Sequence, residues 1–470
     1  MSRTPPSPQR RLTRLKRIVV ALVLFLLVVG GTLYAKAEYI ILGAEAYVFG
    51  FPLVIMDLTR GNAQAAPGHE GALLRVRRFP DAQFRDVVRP NVDTLYTTAF
   101  IDMAQGPWVF EMAANNVRYE VMPFMDAWTN VFASPGTRST GTAGGRYLLA
   151  GPGWQGLVPD GMSLLRAPTR LVWLIGRTQT NGAADYGTVH RLQDGVTLRS
   201  LAAYQSASGA ETAVATVQHP INGSSTPPIV QIRAMDVQSF FTRLANLMVD
   251  NPPAAADGPM LAKLSRLGLA AGQPPQWGLL DRWAVALGRW LADWTIAKEL
   301  KKRPTVRGWI TPPGNLGNYG TAYNIRTVVA MIGLGANLNA DATYPSASVD
   351  SQGQPLDGSK RYRLQFKRAD LPPVNAFWSI TAYGLDDFFI DNPLKRFALG
   401  DRDPLVFNPD GSLDLLIQAE APAGHRRANW LPVQAGNAFV LNARLYWPKP
   451  PALDGSWGMP GIERLEGTAP

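Results

Sequence analysis

RYRLQFK, residues 361–367, alternates without a break: Tyr362, Leu364 and Phe366 are apolar or aromatic, and Arg361, Arg363, Gln365 and Lys367 lie between them. Successive side chains of a strand point to opposite faces, so the pattern predicts a strand with one buried face and one wet face. Phe377–Tyr383, Leu413–Ala419 and Ala438–Tyr446 are further candidates downstream. Their spacing suits an antiparallel sandwich or jelly-roll.

The same texture fills residues 70–200, with strands predicted at Arg146–Ala150 and Arg170–Thr178. Trp108–Met112 and Val117–Met122 flank Asn115-Asn116, which predicts a hairpin. Two stretches read as helix instead. Residues 39–60 form one, broken or kinked at Pro52. Residues 281–302 form the other, with Trp283, Leu287, Trp290, Leu291 and Trp294 at helical spacing and Pro304 as its stop. Such an aromatic stripe reads as core packing.

The predicted fold is mainly β with α. Two antiparallel β-sandwich or jelly-roll-like domains, residues 38–235 and 311–470, are joined by a helical segment at 236–310. A basic tail (1–17) and a transmembrane or signal helix (18–37) precede them.

Ile18 to Ala35 is an uncharged run of 18 residues, just long enough to span a bilayer core as a helix. Six basic residues precede it, so the positive-inside rule keeps the tail in the cytoplasm and sends the body out. Ala35-Lys36-Ala37 also fits a small-x-small cleavage site. Two outcomes stay open: a single-pass protein of the cytoplasmic membrane with its body in the periplasm or outside, or one released to the periplasm by cleavage near Ala37.

The net charge of +10 belongs to that leader. Seven basic residues and no acid occupy the first 37 positions, leaving 39 basic against 36 acidic residues elsewhere. Nucleic acid is therefore not an expected partner. The absence of cysteine excludes disulfides, thiol catalysis and cysteine-ligated metals.

Gly151-Pro152-Gly153-Trp154-Gln155-Gly156 matches a dinucleotide-binding glycine pattern by letter, but Pro152 and the following Gly156-Leu157-Val158-Pro159 argue for a turn. His69, His190, His219 and His425 are scattered, with no pair at metal-ligand spacing. Asp410-Gly411, within an alternation of Asn408, Asp410, Ser412 and Asp414, reads as a turn. No metal, no cofactor and no catalytic residue is assigned. The richest chemistry lies in two short stretches, which nominate Arg89, Asn91, Asp93, Tyr96, Asp126, Trp128, Asn130 and Arg138 as ligand-binding candidates. They combine both charge signs, amides and flat aromatics, as pockets for polar ligands do.

RPNVDTLYTTAFID, VMPFMDAWTNVFASPGTRSTGT and APTRLVWLIGRTQTNGAADY resemble domain of unknown function 1254. LPPVNAFWSITAYGLDDFFIDN and FVLNARLYWPKPPALDGSWGMPGIERL resemble domain of unknown function 1214. The resemblance implies a bacterial envelope protein with two mainly β domains joined by a helical section, and it carries over no catalytic residue. Three functions follow as expectations: a binding or structural envelope protein; an envelope-glycan hydrolase using Asp/Glu pairs; a transport or assembly accessory factor. Whether the chain is an enzyme stays open. The expected partners are the membrane through residues 18–35, an envelope glycan or small polar ligand, and a second copy in a homo-oligomer.

Overall fold

The computed structural model describes residues 8–65, 73–85, 88–115, 118–206, 214–217, 226–301 and 305–466. Its first β region is built on the antiparallel pair Thr94–Asp102 and Leu171–Gln179, in register over nine residues. A second sheet carries Trp108–Met112 between Val196–Ser200 and Gly145–Ala150. Ala99, Ile101, Val172 and Leu174 meet Phe110 and Leu149 of the second sheet in a dry core. The opposite face of the same two strands, reached by every second residue, is left for another use.

The second β region repeats the plan. Val374–Gly384 pairs with Phe439–Pro448, and Arg361–Phe366 pairs with both Leu413–Gln418 and Ile462–Leu465. Burial along Arg361–Phe366 alternates residue by residue, as its sequence requires. Tyr362, Leu364 and Phe366 join Trp378, Ile380 and Leu441 in one core. The fold is thus mixed, with two sheet-rich regions of mainly antiparallel pairing, an interleaved helical layer and an apolar leading helix.

The predicted hairpin does not form. Trp108–Met112 pairs with Gly145–Ala150 and Val196–Ser200, whereas Glu120–Val121 pairs with Leu171–Gln179 in the other sheet. Crossing over lets Tyr119 and Val121 bury against Phe377 and Tyr446 of the second region, a gain that a local turn would forfeit. Asn116 and Val117 lie outside the described residues.

Ala37–Gln64 is one helix despite Pro52. An interior proline leaves the carbonyl four residues earlier without its donor. Here that carbonyl, Val48 O, accepts from the Thr327 hydroxyl, so the run continues. The helix Leu279–Lys301 packs on it closely enough that a Cβ at Gly288 would lie 2.2 Å from Ile40 O. That contact needs small residues in the seam, and Ala284, Gly288 and Ala292 are buried there. The tryptophans are pushed to the other side: Trp283, Trp290 and Trp294 are 43%, 58% and 50% exposed, which corrects the reading of this stripe as core. Pro304 lies outside the described residues. The leading helix Pro8–Ala35 precedes the fold, and its Lys16–Ala35 stretch, long and apolar enough to cross a membrane, has no buried part.

Candidate functional site

The free face of Thr94–Asp102 and Leu171–Gln179 forms one wall of a cavity of about 920 Å³. The facing wall comes from the second β region, through Tyr344, Ser346, Asn442, Arg444 and Tyr446. Helical residues Ile55, Ala63, Val329 and Ile332 add an apolar side. The volume falls within the roughly 300–1,000 Å³ that small-molecule sites occupy.

Polarity changes along the wall. Phe100 stacks on its register partner Trp173 with centroids 5.1 Å apart, and Thr98 faces Ile175. Four residues from Phe100, about 13 Å along the strand, Tyr96 faces Arg177, whose guanidinium lies 5.1 Å from the ring centroid. Arg177 donates to Asn337 Oδ1 (2.7 Å), Gly335 O (2.6 Å) and Ile175 O (3.1 Å). Asn337 in turn donates to the Tyr344 hydroxyl, and Asn91 donates to that of Tyr96, both at 2.7 Å.

Arg444 completes this polar end. It donates to Thr381 Oγ1 (2.8 Å), the Tyr383 hydroxyl (2.6 Å) and Arg89 O (3.0 Å). Arg89 has a φ of 52°, a left-handed turn that presents its carbonyl to Arg444. Both Arg177 and Arg444 are buried, and among the described residues neither is ion-paired to a carboxylate. The charged side chains lining the cavity are Arg78, Arg85, Arg89, Arg177 and Arg444, with no acid among the described lining. Arg78, Arg85 and Val88 are exposed and mark its mouth.

Residues 71–200 match the model of the family described as "Protein of unknown function (DUF1254)", and residues 341–450 match that of "Protein of unknown function (DUF1214)". The chain carries a DUF1254 region followed by a DUF1214 region. The crystal structure of the VPA0106 protein from Vibrio parahaemolyticus superposes with a TM-score of 0.67 at 22% identity, covering 91% of this chain and 100% of that one. That likeness is one of fold. A Burkholderia cenocepacia protein of known structure gives a TM-score of 0.44 at 12% identity, over 94% of this chain and 98% of that one. Among curated proteins no match was found.

The cavity is thus walled by both the DUF1254 and the DUF1214 region, and the nominated residues divide around it. Arg89, Asn91 and Tyr96 line it. Asp93 lies behind the wall, ion-paired to Arg402 of the DUF1214 region and accepting from Ser379 Oγ at 2.8 Å. Asp126 holds its own turn by accepting from the amides of Trp128 (2.9 Å) and Asn130 (2.8 Å), and burial pushes its pKa up to about 6 against those bonds. Trp128 is core and donates to Asn251 O, while Asn130 accepts from the Tyr319 amide. Arg138 pairs with Asp341. Asp93, Asp126 and Arg138 therefore serve separate partners and do not form one acidic site.

Arg177, Tyr344, Asn442, Arg444 and Tyr446 were missed by sequence reasoning. A signal exists for the last three: Asn442, Arg444 and Tyr446 place polar groups at every second position of an otherwise apolar strand. Near the Asp126 turn, Arg326 is a further buried cation, 5.2–5.6 Å from the centroids of Tyr323, Trp128 and Phe49. Its Nε and one terminal nitrogen lack a partner among the described residues.

The remaining motifs are structural. Gly151–Gly156 is a turn after the Gly145–Ala150 strand. Ser412 N and Oγ both bond Asp410 Oδ1, closing the Asp410-Gly411 turn. His190 Nε2 is 2.8 Å from Arg77 O, and His425 is exposed. His69 and His219 lie outside the described residues.

Proposed function

We propose that this is an extracytoplasmic binding protein, led to or held at the membrane by its leading helix, with its ligand in the cavity between the two β regions. The observation that carries the reading is that cavity: both families' regions build it, and it joins an apolar wall to a fixed polar end. Its described lining offers no carboxylate, whereas glycan hydrolysis needs two flanking the scissile bond. Binding is therefore the reading the geometry favours.

Protein extracted from membranes in mild detergent is expected to retain a small molecule visible by native mass spectrometry. Ser346→Trp, which fills the cavity from its DUF1214 wall, should remove that mass while shifting the melting temperature little. A wild-type protein that is always empty and takes up nothing from an extract would reject the reading. For location, protease added to intact spheroplasts should digest the body and spare a cytosolic control. Full protection would place the body inside.

A further inference from the structure

We infer that the cavity takes an amphipathic anion, with a carboxylate or phosphate head at Arg177 and Arg444 and an apolar body along Trp173, Phe100 and Ile55. This rests on the cavity being a ligand site, and it adds the chemical class. A buried guanidinium is costly unless paired and hydrogen-bonded. Here two of them share one end of a cavity, and neutral carbonyls, an amide and hydroxyls hold them in place. Asp93, the acid behind that wall, is already committed to Arg402 and Ser379.

Arg177 gives three N–H donors to Ile175, Asn337 and Gly335 and also bonds Tyr96, so the fork keeps one of its five donors for an oxyanion shared with Arg444. Planar forks match carboxylate and phosphate geometry better than a point charge does. At the opposite end the stacked Phe100 and Trp173 offer only flat apolar surface beside the Trp173 N–H, which is taken by Thr98 at 2.9 Å. The polar lining beside Ile55 and Ala63 is already engaged, Thr59 with Ile55 O, Asn62 with Thr226 O and Gln64 with Arg60, so a second polar head would have to displace those bonds, which favours a one-headed molecule. Arg78 and Arg85 at the mouth favour the approach of the same charge.

The test compares hexadecanoate, hexadecyl phosphate and neutral 1-hexadecanol on the full chain in detergent, by isothermal titration. Both anions, or one of them, should bind about 10-fold or more tighter than the alcohol. The better anion identifies the source as a free fatty carboxylate or a phosphate-bearing lipid. Arg177→Met and Arg444→Met should each erase the preference, and Arg177→Lys should restore part of it. Equal binding of all three probes by the wild type would overturn the anion proposal and leave the cavity reading standing. Failure of all three to bind, with no ligand retained from membranes, would remove both. The wild-type comparison decides the matter even where a methionine variant does not fold.

Discussion

Replacing Asp93 with alanine is expected to cost about 3–5 kcal/mol of stability, the range for removing one partner of a buried ion pair. Asp93 is 1% exposed and belongs to the DUF1254 region, and its partner Arg402 comes from the second β region. Arg402 also donates to Asp93 O (3.2 Å) and Thr180 O (3.1 Å) and lies 4.2 Å from the centroid of Phe377. It cannot swing out to water without breaking those contacts, so loss of the carboxylate strands a charge. Its Nε already lacks a partner among the described residues, which leaves no spare acceptor to compensate. Asp93→Asn, which keeps the shape and one acceptor, should cost less, about 1–3 kcal/mol. The double change Asp93→Ala with Arg402→Met should recover part of the loss, because the stranded charge is then gone. Chemical denaturation followed by both circular dichroism and tryptophan fluorescence measures it. An unmoved midpoint together with abolished ligand uptake would instead make Asp93 a site residue.

This residue also shows what the chain could reveal in advance. The strands were legible because their alternation is local: Arg361–Phe366 needs no knowledge of its neighbours. The leading helix was legible for the same reason. Periodicity marks a face but not its destination, so the tryptophans of Leu279–Lys301 were placed inside when the glycine seam turns them out. Pro52 reads as a break or a kink, and the break is avoided by a remedy no local pattern shows, the Thr327 hydroxyl 275 positions away. The candidate site was half legible. Arg89, Asn91 and Tyr96 fall in one dense stretch, and Asn91 is a local capping group that accepts from the amides of Asp93 and Thr94. Arg177 and Arg444 each read as an isolated charge in an apolar strand, and only the packing of two separate sheets around one cavity brings them together.

Stability is expected to fall as pH rises from about 5 to about 8, opposite to the usual gain on leaving acid. Glu120 is 4% exposed, and burial pushes its carboxyl up to about 7, with the Asn115 amide pulling the other way. Burial likewise holds Asp126 at about 6 against its hydrogen bonds. Unfolded, such groups titrate near 4. Between those values the folded chain binds protons that the unfolded chain has released, so raising the pH favours unfolding there. Above about pH 7 the penalty is complete, and for Glu120 alone it is about 3 kcal/mol. Carboxylates held below their usual range, such as Asp102 beside Arg170, act in the opposite sense only at lower pH, outside this window. Glu120→Gln isolates the largest contribution. The amide cannot ionise, and its N–H₂ has an acceptor nearby in Asn115 Oδ1, which is buried without a partner among the described residues. The variant should therefore be more stable than wild type at pH 8 by about 2–3 kcal/mol and nearly equal to it at pH 4.5. Melting temperatures of both proteins across that range measure the difference. A variant that follows the wild-type curve in parallel, or that is weaker at pH 8, would show that Glu120 is solvated or paired in the folded protein and that the pH dependence has another source.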